Sequence, residues 1–140
     1  MTRRIEQTDD IATCRVLRRL VFIDEQGVSE ADELDDLDDQ CFHLLAWDGD
    51  QPVGTARIHL KGNIAKVGRV CVILPYRGTG LGAALIRFAL DVARAQDGID
   101  QAELGAQVHV LAFYEALGFN VIGPIYDDAG IDHRDMVQSL

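Results

Sequence analysis

The period of the apolar positions alternates along this chain. Ile11, Cys14, Leu17, Leu20 and Val21 follow the three-and-four spacing of a half-buried helix, predicting a helix from a cap at Asp10 to about Gln26, stopped by Gly27. The acidic stretch that follows has only Leu34 and Leu37 to bury and reads as a loop or short helix. Residues 42–47, 53–60 and 64–73 then read as strands. Asp48-Gly49-Asp50 and Lys61-Gly62-Asn63 between them are turn sequences, so the three form an antiparallel meander. Helical spacing returns at Leu81, Ala84, Leu85, Phe88, Val92 and Ala93, with Arg87 and Asp91 four apart on the outer face. Residues 101–106 suit a short strand, and Val110, Phe113, Tyr114 and Leu117 mark a second helical stripe closed by Gly118. Residues 119–122 and 133–137 complete the pattern as strands. A meander followed by alternating strands and helices predicts an α/β (α+β) fold around a mixed sheet.

Composition narrows the picture. At 140 residues the chain is read as one domain spanning 1–140, and 48% hydrophobic with 26% charged residues excludes a disordered chain. The net charge of −10 argues against nucleic acid and anionic membrane as partners. That acidity is local. Asp24, Glu25, Glu30, Asp32, Glu33, Asp35, Asp36, Asp38 and Asp39 lie in one interval without Lys or Arg, and elsewhere thirteen basic residues face fourteen acids. Most of this run is expected to be a solvated face. Three widely spaced cysteines, Cys14, Cys41 and Cys71, with no C-x-x-C, favour a reducing compartment over a disulfide framework. The first residues lack the apolar stretch of a signal peptide and the longest apolar run is 70–74, so the expected location is cytoplasmic. No metal site is expected: a calcium loop aligned on Asp36 would need Gly at Cys41 and Glu at Trp47.

The chemistry concentrates in Val70-Cys71-Val72-Ile73-Leu74-Pro75-Tyr76-Arg77-Gly78-Thr79-Gly80-Leu81-Gly82-Ala83, a strand, a glycine-rich loop and a helix start. Unpaired N–H groups at a helix N-terminus favour an anion, and glycines let the backbone approach phosphate oxygens. Arg77 would add a cationic fork at the loop entrance. A nucleotide P-loop is excluded because no Lys follows Lys66. Gly78, Gly80 and Ala83 satisfy the dinucleotide fingerprint, with Asp97 and Asp100 downstream, which keeps an NAD(P)-binding oxidoreductase as an alternative. That fingerprint should follow the first strand of a parallel βαβ unit, whereas here it follows a meander. A helix cap binding nothing is the structural alternative, but three glycines at alternate positions make a costly cap. A pyrophosphate site is the favoured reading.

Arg77-Gly78-Thr79-Gly80-Leu81-Gly82 resembles the R/Q-x-x-G-x-G/A loop of the GNAT superfamily of N-acetyltransferases, and Phe113-Tyr114-Glu115-Ala116-Leu117-Gly118-Phe119 resembles its F-Y-E-x-L-G-F signature. The stretch Val21-Phe22-Ile23-Asp24-Glu25-Gln26-Gly27-Val28 and Gly130-Ile131-Asp132-His133 look like a bacterial ElaA-like subgroup. The resemblance implies a mostly antiparallel sheet of about six to seven strands, flanked by helices and splayed at the cofactor site, and it implies acetyl-CoA. Val70, Cys71 and Val72 would pair with pantetheine, the Val72 amide would face the thioester carbonyl, and Arg77, Gly78, Thr79, Gly80, Leu81, Gly82 and Ala83 would hold the pyrophosphate. Tyr114 would protonate the departing thiolate, although its position on an apolar stripe equally suits a core residue. Glu25 and His133 are candidate bases, with His43 and His59 behind them. Gly105 stands where the family often has Asn, and Pro75 sits one place late in its turn.

The expected function is acyl-CoA-dependent N-acyl transfer, with acetyl passing to a primary amine by direct attack in a ternary complex. An acyl-Cys71 route is the lesser alternative, and a non-catalytic acyl-CoA-binding module on the same fold is the rival from another class. The acceptor is expected to be a cationic small molecule or peptide, steered by carboxylates such as Asp35 and Asp38. The oligomeric state is open, a homodimer included.

Overall fold

The computed structural model describes residues 3–140. Its first strand, β1 (Arg3–Thr8), was hidden from the hydropathy pattern because it is an edge strand with Ile5 alone packed on the core. Helix α1 (Ile11–Arg18) starts where the sequence predicts, with the Asp10 carboxylate accepting the Thr13 N–H at 3.1 Å. The winding then widens to a π-helix over Arg19–Glu25 before Gly27 ends it. Cys14, Leu17 and Val21 are buried as expected, but Leu20 is 48% exposed. At 100° per residue Leu20 lies about 120° from Cys14 on the helical wheel, off the buried stripe. Arg18, only 1% exposed, lies on that stripe instead.

A short helix, α2 (Glu30–Glu33), and a 3₁₀ turn at Asp38–Gln40 lead into the meander β2 (Cys41–Asp48), β3 (Gln51–Lys61) and β4 (Ile64–Val72). After a 3₁₀ turn at Leu74–Tyr76 that absorbs Pro75 come α3 (Leu81–Arg94), β5 (Gln101–Gln107), α4 (Leu111–Glu115), β6 (Asn120–Asp128) and β7 (Ile131–Ser139). The seven strands form one sheet in the order β1-β2-β3-β4-β5-β7-β6. The last two strands are longer than the sequence pattern predicts, and they pair as a hairpin. The buried face of α3 is Leu81, Leu85, Ile86, Ala89, Leu90 and Ala93, with the predicted Ala84, Phe88 and Val92 at its flanks. Asp91 pairs with Arg94 at 3.1 Å rather than with Arg87. Among the described residues no helix is long and apolar enough to cross a membrane.

Two apolar layers enclose the sheet. One lies under α3 and α4 and includes Leu44, Ile58, Leu85, Ile86, Leu104 and Phe119; the other lies under α1 and joins Cys14, Leu17, Val21, Leu45 and Cys71. The acidic run is not uniformly solvated. Six of its nine acids are exposed, but Glu33 and Asp38 are buried and Asp35 is partly so. Arg18 binds both Glu33 and Asp38, the latter at 2.8 Å, and Arg57 from β3 binds Asp35 at 2.6 Å and Asp38 at 2.9 Å. Burial alone would raise the Asp38 carboxyl, but hydrogen bonds from Arg18, Arg57 and Arg15 outweigh it and hold the group well below its ordinary value. Hydrogen bonding from Arg57 likewise lowers Asp35 to about 2.

The pairing of β4 with β5 positions the site. It is the only parallel pairing among the described strands and covers three positions, Ile64–Lys66 opposite Gln101–Glu103. Further along, β4 carries a bulge: Arg57 opposes Gly68 and Thr55 opposes Cys71, so three steps on β4 match two on β3. A bulge bends the strand and increases its twist. Arg69 sits in it at φ +50°, a left-handed conformation rare for a residue with a side chain. Past this point β4 and β5 separate. One short parallel pairing also removes the dinucleotide-binding alternative, which needs a doubly wound parallel sheet.

Candidate active site

The gap between β4 and β5 widens into a cleft of about 930 Å³. It is lined by the end of the first helix, α2, β4, the start of α3, β5, α4 and the β6–β7 hairpin. The Ile73 N–H bonds to the Val53 carbonyl on β3 at 3.0 Å. Antiparallel ladders alternate, so the Val72 N–H points to the opposite edge of β4, where β5 has diverged. The Val72 carbonyl is occupied, accepting from Arg77 Nε at 2.8 Å. The amide is thus open to the cleft while the carbonyl is not.

Gly78 and Gly80 have φ of +75° and +87°, and a Cβ at either would project into open space. Gly80 caps α3 without any side-chain hydrogen bond, which leaves the first-turn amides free for an anion. Thr79 Oγ1 is spent on the Tyr76 carbonyl at 2.5 Å. Eight of the ten predicted cofactor residues line the cleft; Thr79 and Leu81 instead face a smaller hollow beside Arg3 and Arg4. The loop therefore fits a diphosphate through bare backbone.

Arg77 departs from expectation. Its guanidinium makes a two-pronged pair with Glu25, at 2.6 and 2.9 Å, while Nε holds Val72. Each guanidinium nitrogen has a partner, so Arg77 ties the end of the first helix to β4 and its charge is shared with Glu25. The same hydrogen bonds from Arg77 lower the Glu25 carboxyl below its ordinary value, which weakens it as a base. Cys71 is buried, and burial pushes its thiol up to about 12, so it stays protonated and makes a poor acyl carrier.

Tyr114 reaches the cleft from α4, edge-on to Phe113 and Phe119 with ring centres 5.0 and 6.0 Å away. Burial pushes its phenol up to about 12, keeping the proton on oxygen at neutral pH. His133 lines the cleft from β7 and is 9% exposed. Its Nδ1 is 2.7 Å from the Ile131 carbonyl, which can only accept, so Nδ1 carries the hydrogen and Nε2 of the neutral ring keeps the lone pair. His43 and His59 do not line the cleft: His43 is buried against the Asp38 carbonyl at 2.8 Å, and His59 lies near the far end of β3.

Several cleft residues were missed by the sequence reading. Tyr126 reaches across β7, donates to Asp135 Oδ1 at 2.7 Å and stacks on His133, with ring centres 5.9 Å apart. A Cβ at position 105 would lie 2.5 Å from the Tyr126 hydroxyl, which explains the glycine there. That unexpected Gly105 was the one local signal for Tyr126. Gln26 and Gln107 bridge the walls at 3.1 Å, and Arg69 lines the pocket from the bulge. Gln26 lies in the ElaA-like stretch without a role assigned to it, and Gln107 and Arg69 belong to no motif.

Comparison with known proteins agrees with this geometry. Residues 21–140 match the acetyltransferase (GNAT) domain family. The chain is 36% identical to protein YyaT of Bacillus subtilis (strain 168), over 99% of this chain and 95% of that one. It is 32% identical to protein ElaA of Escherichia coli (strain K12), over 89% and 84%. The crystal structure of Escherichia coli ElaA superposes with a TM-score of 0.80 at 25% identity, covering 98% of this chain and 99% of that one. An acyl-CoA N-acyltransferase from Pseudomonas aeruginosa superposes with a TM-score of 0.84 at 28% identity, covering 98% of each chain. With the splayed strands, the glycine loop and both signatures in place, the chain belongs to the GNAT acetyltransferase family.

Proposed function

We propose that this protein transfers an acetyl group from acetyl-CoA to the primary amine of a small molecule or peptide by direct attack in a ternary complex. The observation that carries the reading is the separation of β4 from β5 beside the uncapped N-terminus of α3, which opens a strand edge and an anion site side by side. Acetyl-CoA would supply the activated thioester. The backbone at Gly78, Gly80, Gly82 and Ala83 would hold its diphosphate, and Val70–Val72 would offer main-chain partners to its pantetheine arm. The Val72 N–H would stabilise negative charge developing on the thioester oxygen.

As the carbon–nitrogen bond forms, His133 Nε2 takes the amine proton; as the carbon–sulfur bond breaks, the Tyr114 hydroxyl returns a proton to sulfur. The buried, protonated Cys71 favours this single displacement over an acyl-enzyme. The cationic side of the acceptor has to be met by acids other than Asp35 and Asp38, which the arginines already neutralise. Asp32 and Asp128 are exposed, line the cleft and have no ion-pair partner among the described residues. They are the steering groups in this reading. Incubating the protein with acetyl-CoA and a panel of amines, and following free thiol together with the mass of the product, tests it. Acetylated amine appearing in step with thiol is expected; binding of CoA without transfer to any amine would contradict it.

A further inference from the structure

We propose that Arg69 is the anion-binding residue of the acceptor pocket, and that the acceptor is a small amine carrying a carboxylate. The inference rests on the acyltransferase reading and deepens it. Four arginines, Arg15, Arg18, Arg57 and Arg69, share three carboxylates, Glu33, Asp35 and Asp38, so the network is one negative charge short. The shortfall falls on Arg69. Asp35 already forms a two-pronged pair with Arg57, at 2.6 and 2.9 Å, and reaches Arg69 only at 3.3 Å. The remaining bonds of Arg69 go to the main-chain carbonyls of Asp32 and Glu33, at 3.4 and 2.9 Å, and all of them use Nη2. Its Nε is buried with no partner among the described residues.

The placement fits a ligand. Arg69 lines the cleft, and its backbone is held at φ +50° in the bulge, a strained conformation of the sort found where a side chain is aimed for function. It is three positions from Val72, at most about 10 Å of strand, so one small molecule can span from the thioester position to the guanidinium. A carboxylate there would complete the charge balance and give Arg69 the planar, two-oxygen partner that Arg57 has in Asp35. The amine of the same molecule would then reach the gap between β4 and β5, facing His133.

The test uses matched acceptors: the proteinogenic amino acids and β-alanine, each against its carboxamide, with acetyl-CoA as donor. For the amino acids acetylated, wild-type protein should favour the carboxylate over the carboxamide by about tenfold or more in kcat/KM. Arg69→Gln should bring that ratio close to one while CoA still raises the melting temperature. A merely structural strap would lower stability and leave the ratio untouched. If Arg69→Gln fails to fold, Arg69→Lys, which keeps the charge but loses the fork, must still lose most of the preference. Equal rates for both members of each pair, or a preference surviving in either variant, overturn the inference alone. Failure to acetylate any amine overturns the acyltransferase reading with it.

Discussion

The glycine loop and the acidic segment line the same cleft, yet they do so in opposite ways. Between residues 77 and 83 the groups offered to the cleft are main-chain amides, freed by positive φ at Gly78 and Gly80 and by the lack of a side-chain cap on α3. Nothing distant in sequence is needed to make that backbone cradle. In the acidic segment the charge of Glu33, Asp35 and Asp38 is cancelled by Arg15, Arg18, Arg57 and Arg69, contributed by α1, β3 and β4. A local backbone feature keeps its meaning when the chain folds, whereas the sign of a charged run depends on what folds against it. The carboxylates with the most partners tie the segment to the sheet, and Asp32, without an ion-pair partner among the described residues, is the one left lining the cleft.

The largest effect should come from breaking the acidic region from below. Arg18→Met would leave the buried Glu33 without a cation and take one of three from Asp38, and removal of one partner from a buried pair costs about 3–5 kcal/mol. Urea unfolding measures it, and a loss under about 1 kcal/mol would mean the network contributes little. The same network predicts an acid transition. Asp35 and Asp38 are depressed in the folded protein, so their stabilisation is complete above the ordinary carboxylate range and is lost as pH falls from about 4 toward 2. Urea midpoints taken down this range should drop steadily; a flat profile would show the carboxylates to be ordinary.

Tyr114→Phe addresses the wall beside the glycine loop. It should lower kcat about 100-fold with KM for acetyl-CoA retained, and unchanged turnover would return Tyr114 to a packing role. Gly80→Ala forces a side chain into φ +87° at a conformational cost of about 1–2 kcal/mol, and should weaken CoA about tenfold with little change in amine preference. Asp36→Asn completes the contrast. Its carboxylate is exposed and has no ion-pair partner among the described residues, so stability should shift by no more than about 0.5 kcal/mol.

The legible part of the fold was that carried by local pattern. The meander, α3, the glycine loop and the turn at Gly118 follow from period, turn chemistry and helix-end chemistry. β1 escaped because an edge strand with one buried apolar residue has no alternation to detect. Arg18 was read past because nothing local marks a charged residue as buried; its partners lie 15 and 20 positions away. The β4 bulge, with Arg69, depends on register against β3. Tyr126 and His133 meet only through the β6–β7 pairing, although Gly105 hinted that something large lay over β5. Side chains of the candidate site were therefore half legible: Tyr114 and His133 stand in the cleft, while Arg77 and Glu25 neutralise one another.

The claim beneath all of this is that the amides at the mouth of α3 hold the diphosphate of coenzyme A. Calorimetric titration of the purified protein with CoA and with 4′-phosphopantetheine, which shares the thiol arm but lacks the diphosphate, tests it most directly. CoA should bind at least about tenfold more tightly. Equal affinity for the two, or no heat with either, would contradict the account.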